Sequence, residues 1–211
     1  MTLYPAIQTF LDSLGPELAA IPPERRALLE SLGRYVRSRT DAGLPARMTF
    51  ICTHNSRRSH FGQVWAAVCA ARHGLVPVES YSGGTEATAF NPRAVAALER
   101  AGFDVANPGG SNPHYALRYA DAAEPLICYS KVYHDPANPA RDFCAVMTCS
   151  EADEACPFIP GAALRLPLAY EDPKVADGTP AEQARYDERC RQIAAELEYM
   201  AHYAATLSPD A

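Results

Sequence analysis

The stretch that decides the fold is Phe50-Ile51-Cys52-Thr53-His54-Asn55-Ser56-Arg57-Arg58-Ser59. An apolar run, Met48-Thr49-Phe50-Ile51, leads into Cys52 and reads as a strand for the middle of a parallel sheet. Helical spacing follows Ser59, with Phe61, Val64, Trp65, Val68 and Cys69 on one face and a stop at Gly74. A loop curling into a helix N-terminus aims several backbone N–H groups at one point, where the helix dipole also favours negative charge. Arg58 adds a planar fork of donors that can grip two oxygens of a tetrahedral anion. The field that holds an anion also favours thiolate over thiol, so Cys52 is placed as a nucleophile under a bound oxyanion.

Working outward, this motif sits in a chain of 211 residues, enough for one domain with an appendage. Apolar residues make up 48% and charged residues 21%, the balance of a globular protein with a real core. A formal net charge of −6 and the lack of a basic stripe argue against nucleic acid as partner. No basic stretch and apolar core mark a signal peptide at Met1-Thr2-Leu3-Tyr4-Pro5, and no apolar run nears the roughly 20 residues that span a bilayer. A cytoplasmic protein without membrane contact is expected. Seven cysteines there are expected as thiols, with any disulfide transient and catalytic. No pair has CxxC spacing and no histidine adjoins a cysteine cluster, so no metal site is expected.

Residues 1–47 read as a helical extension. Ile7, Phe10, Leu11, Leu14 and Leu18 mark one helix face, and Pro22-Pro23 breaks it. Leu28, Leu29, Leu32, Tyr35 and Val36 mark a second helix that ends before Asp41-Ala42-Gly43. These stripes must be buried, and packing on the domain at 48–211 is the expectation; a dimer contact or docking surface is the alternative. Past Gly74, Val76 to Ser82 reads as a strand and Gly83-Gly84 as a turn leaving it. Asn91-Pro92 reads as an N-cap and first helical residue. Residues 106–143 lack helical period and read as an insertion near the site, with Tyr115 to Tyr119 and Leu126 to Tyr129 as a hairpin. Core strands follow at Ala145 to Thr148 and Leu164 to Leu168, and a long helix runs from Pro180 to about Tyr203.

The loop, Cys52 through Ser56 with Arg58-Ser59, resembles the phosphate-binding loop of the low-molecular-weight protein tyrosine phosphatase superfamily. The resemblance implies an α/β three-layer sandwich on a four-stranded parallel sheet, here with the N-terminal helical extension. It implies Cys52 as attacking residue, Arg58 as anion clamp and Ser59 as a donor to the thiolate. The oxyanion would then rest on Thr53, His54, Asn55, Ser56, Arg57 and Arg58. Asp172-Pro173, past the last strand, matches the superfamily's general acid. Lys174-Val175 follows, where tyrosine phosphatases of this fold usually place aromatic residues.

The branch is chosen by Cys149-Ser150-Glu151-Ala152-Asp153-Glu154-Ala155-Cys156, two cysteines seven apart after a core strand. One thiol can attack a polarised sulfur and a second can resolve the product. The segment resembles the redox segment of thioredoxin-coupled arsenate reductases. That resemblance implies arsenate reduction through Cys52, Cys149 and Cys156 in turn, with Asp172 protonating departing water and thioredoxin or a similar thiol as reductant. No metal or organic cofactor enters this scheme. The alternatives are a phosphatase acting on phosphotyrosine or small phosphate esters, and a non-catalytic oxyanion or redox sensor whose N-terminal helices engage a partner.

Overall fold

Apolar runs bounded by polar loops, alternating with helical stripes, give the strand–helix order of a parallel α/β sheet. The structure is a computed structural model that describes residues 1–156 and 158–208; the last three residues of the expected 48–211 domain and Pro157 lie outside it. Three helices come first, α1 (Pro5–Asp12), α2 (Gly15–Ala19) and α3 (Pro23–Asp41). Then come β1 (Ala46–Cys52), α4 (Arg58–Arg72), β2 (Val78–Gly84) and α5 (Pro92–Arg100). Three short strands, β3 (Asp104–Ala106), β4 (Tyr115–Arg118) and β5 (Leu126–Cys128), precede β6 (Phe143–Met147) and α6 (Ser150–Ala155). The chain closes with β7 (Ala162–Pro167) and α7 (Glu182–Thr206).

The main sheet has four parallel strands in the order β2-β1-β6-β7, the α/β architecture that the resemblance implied. From β1 the chain goes to one neighbour, β2, and returns later to the other, β6. The carboxyl ends of β1 and β6 therefore flank a switch point, where open α/β sheets bind ligands. Cys52 ends β1 opposite Gly84, and Cys149 follows β6 two residues beyond its end. The expected hairpin is present as β4 and β5, and β3 adds a third antiparallel strand.

Strand alternation splits the core in two. Met48, Phe50, Cys144 and Val146 face a large cluster shared with α1, α3, α4, α5 and α7. Ile51, Ala145 and Met147 face a smaller one with Cys52, Cys149 and Ala152. Leu29, Leu32 and Val36 of α3 are fully buried in the large cluster, and α3 is further tied by Arg25 Nε to Glu196 at 2.8 Å. Leu32→Ala is therefore expected to cost about 2–5 kcal/mol of global stability, read as one cooperative shift in urea unfolding. Loss of an early, separate transition instead would show that α3 folds apart from the sheet.

Two local expectations are corrected. The single first helix is two, because Pro16 lacks the N–H that a continuous helix would need and is accepted only in the first turn of α2. Gly83 and Gly84 are not a turn but the last pair of β2. A Cβ on Gly83 would lie 2.3 Å from Tyr133 Cα, and one on Gly84 2.6 Å from Thr53 O. Both glycines serve close backbone approach. No helix among the described residues is long and apolar enough to cross a membrane.

Candidate active site

Residues 53–57 form the loop between β1 and α4, and its shape follows from where its carbonyls go. Thr85 N–H donates to Cys52 O at 3.1 Å and Glu86 N–H to Thr53 O at 2.8 Å. Ser130 Oγ and Thr88 Oγ1 donate to His54 O at 2.9 and 3.1 Å. His60 Nε2 meets Asn55 O at 2.9 Å, and Asn91 N–H donates to Ser56 O at 2.9 Å. With every carbonyl from 52 to 56 drawn outward, the N–H groups of residues 54–57 have no acceptor among the described residues. Such a set of amides at a helix N-terminus is an anion nest.

Asn55 makes the turn possible. Its φ of 44° is left-handed, a region asparagine tolerates better than most residues. Its side chain is fully buried; Nδ2 donates to Ser59 Oγ at 2.8 Å, and Oδ1 accepts Lys131 N–H at 2.9 Å. Because Ser59 Oγ accepts from Asn55, its own proton is free to point at Cys52 Sγ, 3.1 Å away.

Arg58, the expected clamp, donates Nη1 to Tyr170 O at 2.8 Å and Nη2 to Asp172 Oδ2 at 2.9 Å. Arg57 Nε reaches Asp172 Oδ1 at 2.8 Å. Burial disfavours a charged Asp172, but the Arg58 charge, the Lys174 N–H and Arg57 together hold its carboxyl below the usual range. Cys52, His54, Ser56, Arg57, Arg58 and Asp172 line a pocket of about 10 Å³, room for about one water. A tetrahedral oxyanion is larger than this space. Larger cavities of about 420 Å³ lie elsewhere, against Leu75 and Tyr81 and against Tyr133 and Pro160, away from this loop.

Cys149 caps α6, accepting Ala152 N–H at 3.4 Å, and its sulfur lies 3.5 Å from Thr53 Oγ1. Burial pushes the Cys149 thiol up; the Thr53 hydroxyl, the Ala152 N–H and the Arg58 charge pull it partly back. Cys156 caps the other end of α6 and is half-buried. The sheet sorts all seven cysteines. Cys52, Cys149 and Cys156 belong to the small cluster on one face. Cys69, Cys128, Cys144 and Cys190 are buried in the large cluster on the other. Burial raises all four of these thiols, Cys128 and Cys190 to about 12.

Several supports went unseen in the sequence. His60 is fully buried and stacked on Phe90 at 3.9 Å, and burial followed by the Lys131 charge drives its pKa well below the usual value. The neutral ring must carry its proton on Nε2 to meet Asn55 O, a fixed brace for the left-handed residue. The i, i+4 spacing of His60 and Val64 was the available signal. Asn112 clasps Ser130 with two bonds, Nδ2 to Ser130 O at 2.8 Å and Ser130 N–H to Oδ1 at 3.0 Å. The segment at 106–143 thereby presses Ser130 and Lys131 onto the loop; no local pattern announces contacts of that separation. Asn112→Ala is expected to weaken inorganic phosphate binding about tenfold, with the thermal midpoint little changed. Unchanged affinity in titration calorimetry would remove the clasp from the site.

A parallel sheet with a cysteine-to-arginine loop at its carboxyl edge defines the low-molecular-weight phosphatase class of α/β proteins. No family model matches the sequence. The arsenate reductase of Shouchella clausii is 31% identical over 154 residues, covering 72% of this chain and 92% of that one. That of Bacillus subtilis is 30% identical over 142 residues, covering 67% and 84%. A YwlE mutant from Bacillus subtilis has a similar fold, with a TM-score of 0.51 at 17% identity over 74% of this chain and 97% of that one. The chain belongs to the arsenate reductase and low-molecular-weight protein tyrosine phosphatase family, a family of enzymes.

Proposed function

We propose that the protein is a thiol-dependent arsenate reductase, acting in the reducing cytoplasm and recycled by thioredoxin or a similar dithiol. The observation that carries this reading is the sorting of the cysteines: three on the loop's face of the sheet, four buried on the other. A phosphatase needs Cys52 alone; a relay needs a second thiol beside it and a third with a route outward.

The steps balance on sulfur. The Cys52 thiolate attacks arsenic in dihydrogen arsenate held by the loop amides and Arg58. The sulfur–arsenic bond forms, one arsenic–oxygen bond breaks, and water leaves with a proton that Asp172 delivers. Cys149 then attacks Cys52 sulfur; the electron pair of the sulfur–arsenic bond stays on arsenic, which departs as arsenite, two electrons reduced. Cys156 attacks Cys149, releases Cys52 as thiolate, and leaves a Cys149–Cys156 disulfide for the reductant. No step calls for a metal or organic cofactor.

The geometry adds one requirement. Cys149 and Cys156 bracket the six-residue α6. An intact helix holds their Cα atoms roughly 10 Å apart at about 1.5 Å per residue, beyond the roughly 7 Å limit for a disulfide. The relay therefore unwinds α6 at its third step.

The site also fits an inorganic anion better than a phosphotyrosine. Among the described residues no phenylalanine, tyrosine or tryptophan lines the small pocket, and Val175, where a ring would flank the substrate, is 68% exposed. Reduced protein supplied with arsenate, thioredoxin and a regenerating system tests the reading. Arsenite produced in stoichiometry with reductant consumed is expected; hydrolysis of aryl phosphate without any arsenite would overturn it.

A further inference from the structure

Two guanidinium groups meet one carboxylate at this site, and their commitments differ. Arg57 is 7% exposed, with Nε on Asp172 Oδ1 at 2.8 Å and Nη2 on Oδ2 at 3.4 Å. All its side-chain hydrogen bonds among the described residues go to Asp172. Arg58 divides its donors between Tyr170 O and Asp172 Oδ2, and its Nε is buried without an acceptor. A buried donor without a partner is costly, and of the two arginines only Arg58 has one. An oxyanion entering above Cys52 therefore recruits Arg58. Asp172 keeps the Arg57 fork and the Lys174 N–H at 3.0 Å.

We infer that Arg57 is a specificity-determining residue: it keeps Asp172 a carboxylate after Arg58 has turned to the bound anion, and so disfavours esters as substrates. This rests on the reductase reading and refines the part of Asp172 in it. Dihydrogen arsenate brings two hydroxyl groups. A carboxylate can take the proton of one and hand it to the other, which leaves as water. The thiolate and the arsenate, each carrying one negative charge, give a doubly charged thiol adduct plus water, and Asp172 ends as it began. A phosphomonoester at neutral pH is mostly a dianion, its second pKa being about 6, and has no proton to pass along. Its ester oxygen must take one from an acid already protonated, which a carboxylate pinned by Arg57 is not.

The charged and titratable groups around Asp172 are few. Arg57 and Arg58 face it from the loop and α4, and Cys52 and His54 share its pocket without a hydrogen bond to it among the described residues. Tyr186 faces it from α7, and Lys174 belongs to its own turn. Arg58 is recruited by the anion, and the Lys174 contact is a neutral N–H, which leaves Arg57 as the cation that decides.

The test compares Arg57→Gln and Arg57→Lys with the wild type. Four constants are read, kcat and KM for arsenate reduction and kcat and KM for phenyl phosphate hydrolysis. The Asp172 carboxyl is also titrated by carbon NMR, assigned with Asp172→Asn. For Arg57→Gln the ester-to-arsenate ratio of kcat should rise about tenfold or more, and the Asp172 titration should move up by about one pH unit. Arg57→Lys, which keeps the charge, should return most of both. An unmoved Asp172 titration, or equal loss on both substrates, would reduce Arg57 to loop packing. A wild type inert toward arsenate would sink the reductase reading, yet the carboxyl titration would still decide whether Arg57 holds Asp172.

Discussion

Cys52→Ser should lose arsenate turnover by a factor of about 10⁴ or more while still binding inorganic phosphate. The substitution exchanges one atom at the end of β1 and leaves the anion nest intact. The loop amides of residues 54–57, Arg58 and the Asn55–Ser59 hydrogen bond do not depend on the sulfur. What is lost is the thiolate, because a serine hydroxyl beside Ser59 has no base to ionise it, and an alcohol neither attacks arsenic nor carries electrons. Steady-state kinetics with titration calorimetry separates the two effects. Retention of even about one per cent of the turnover would place the nucleophile elsewhere, since removing a nucleophile costs orders of magnitude more.

Cys149→Ser should abolish arsenate turnover as completely, and should spare any hydrolysis of aryl phosphate. Its sulfur lies 3.5 Å from Thr53 Oγ1, the residue after the nucleophile, yet it touches neither the Arg58 fork nor Asp172 through any hydrogen bond among the described residues. The loop's anion contacts thus survive its loss, and water can still open a phosphocysteine. Only the sulfur-to-sulfur step is gone. Equal loss of both activities would mean that Cys149 merely supports the loop. The same scheme predicts that forming the Cys149–Cys156 disulfide removes amide-exchange protection from Asp153 and Cys156, whose N–H groups donate to Cys149 O and Ala152 O, because the helix between the cysteines must open.

How much of this could be read in advance depends on the range of the forces involved. The strand, loop and helix around Cys52 were legible because alternation, helical period and a terminal stop act within a few residues. The Asn91 cap was too: its side chain accepts Arg93 N–H at 2.9 Å, beside Pro92. The break at Pro16 was a local signal overruled by an apolar stripe that runs through it, buried at Ile7, Leu11 and Leu14 and half-buried at Phe10 and Leu18. Gly83 and Gly84 were read as a turn because a close approach to Tyr133 and Thr53 leaves no trace beyond the glycines themselves. Ser130 and Asn112 stayed invisible, since neither sits in a pattern and both act on a loop far off in the chain. The candidate site was legible as a list of residue types. Which arginine holds Asp172, and which cysteines share a face, required the fold.

One measurement bears most directly on the account. Fully reduced protein is mixed with stoichiometric arsenate, without thioredoxin, quenched by alkylation, and its thiols counted and disulfides mapped by mass spectrometry. The account predicts the loss of two of the seven thiols and a single Cys149–Cys156 linkage, with Cys52 alkylated as a free thiol. Retention of all seven thiols, with arsenate unchanged, would contradict it and leave Cys149 and Cys156 as bystanders to a phosphatase.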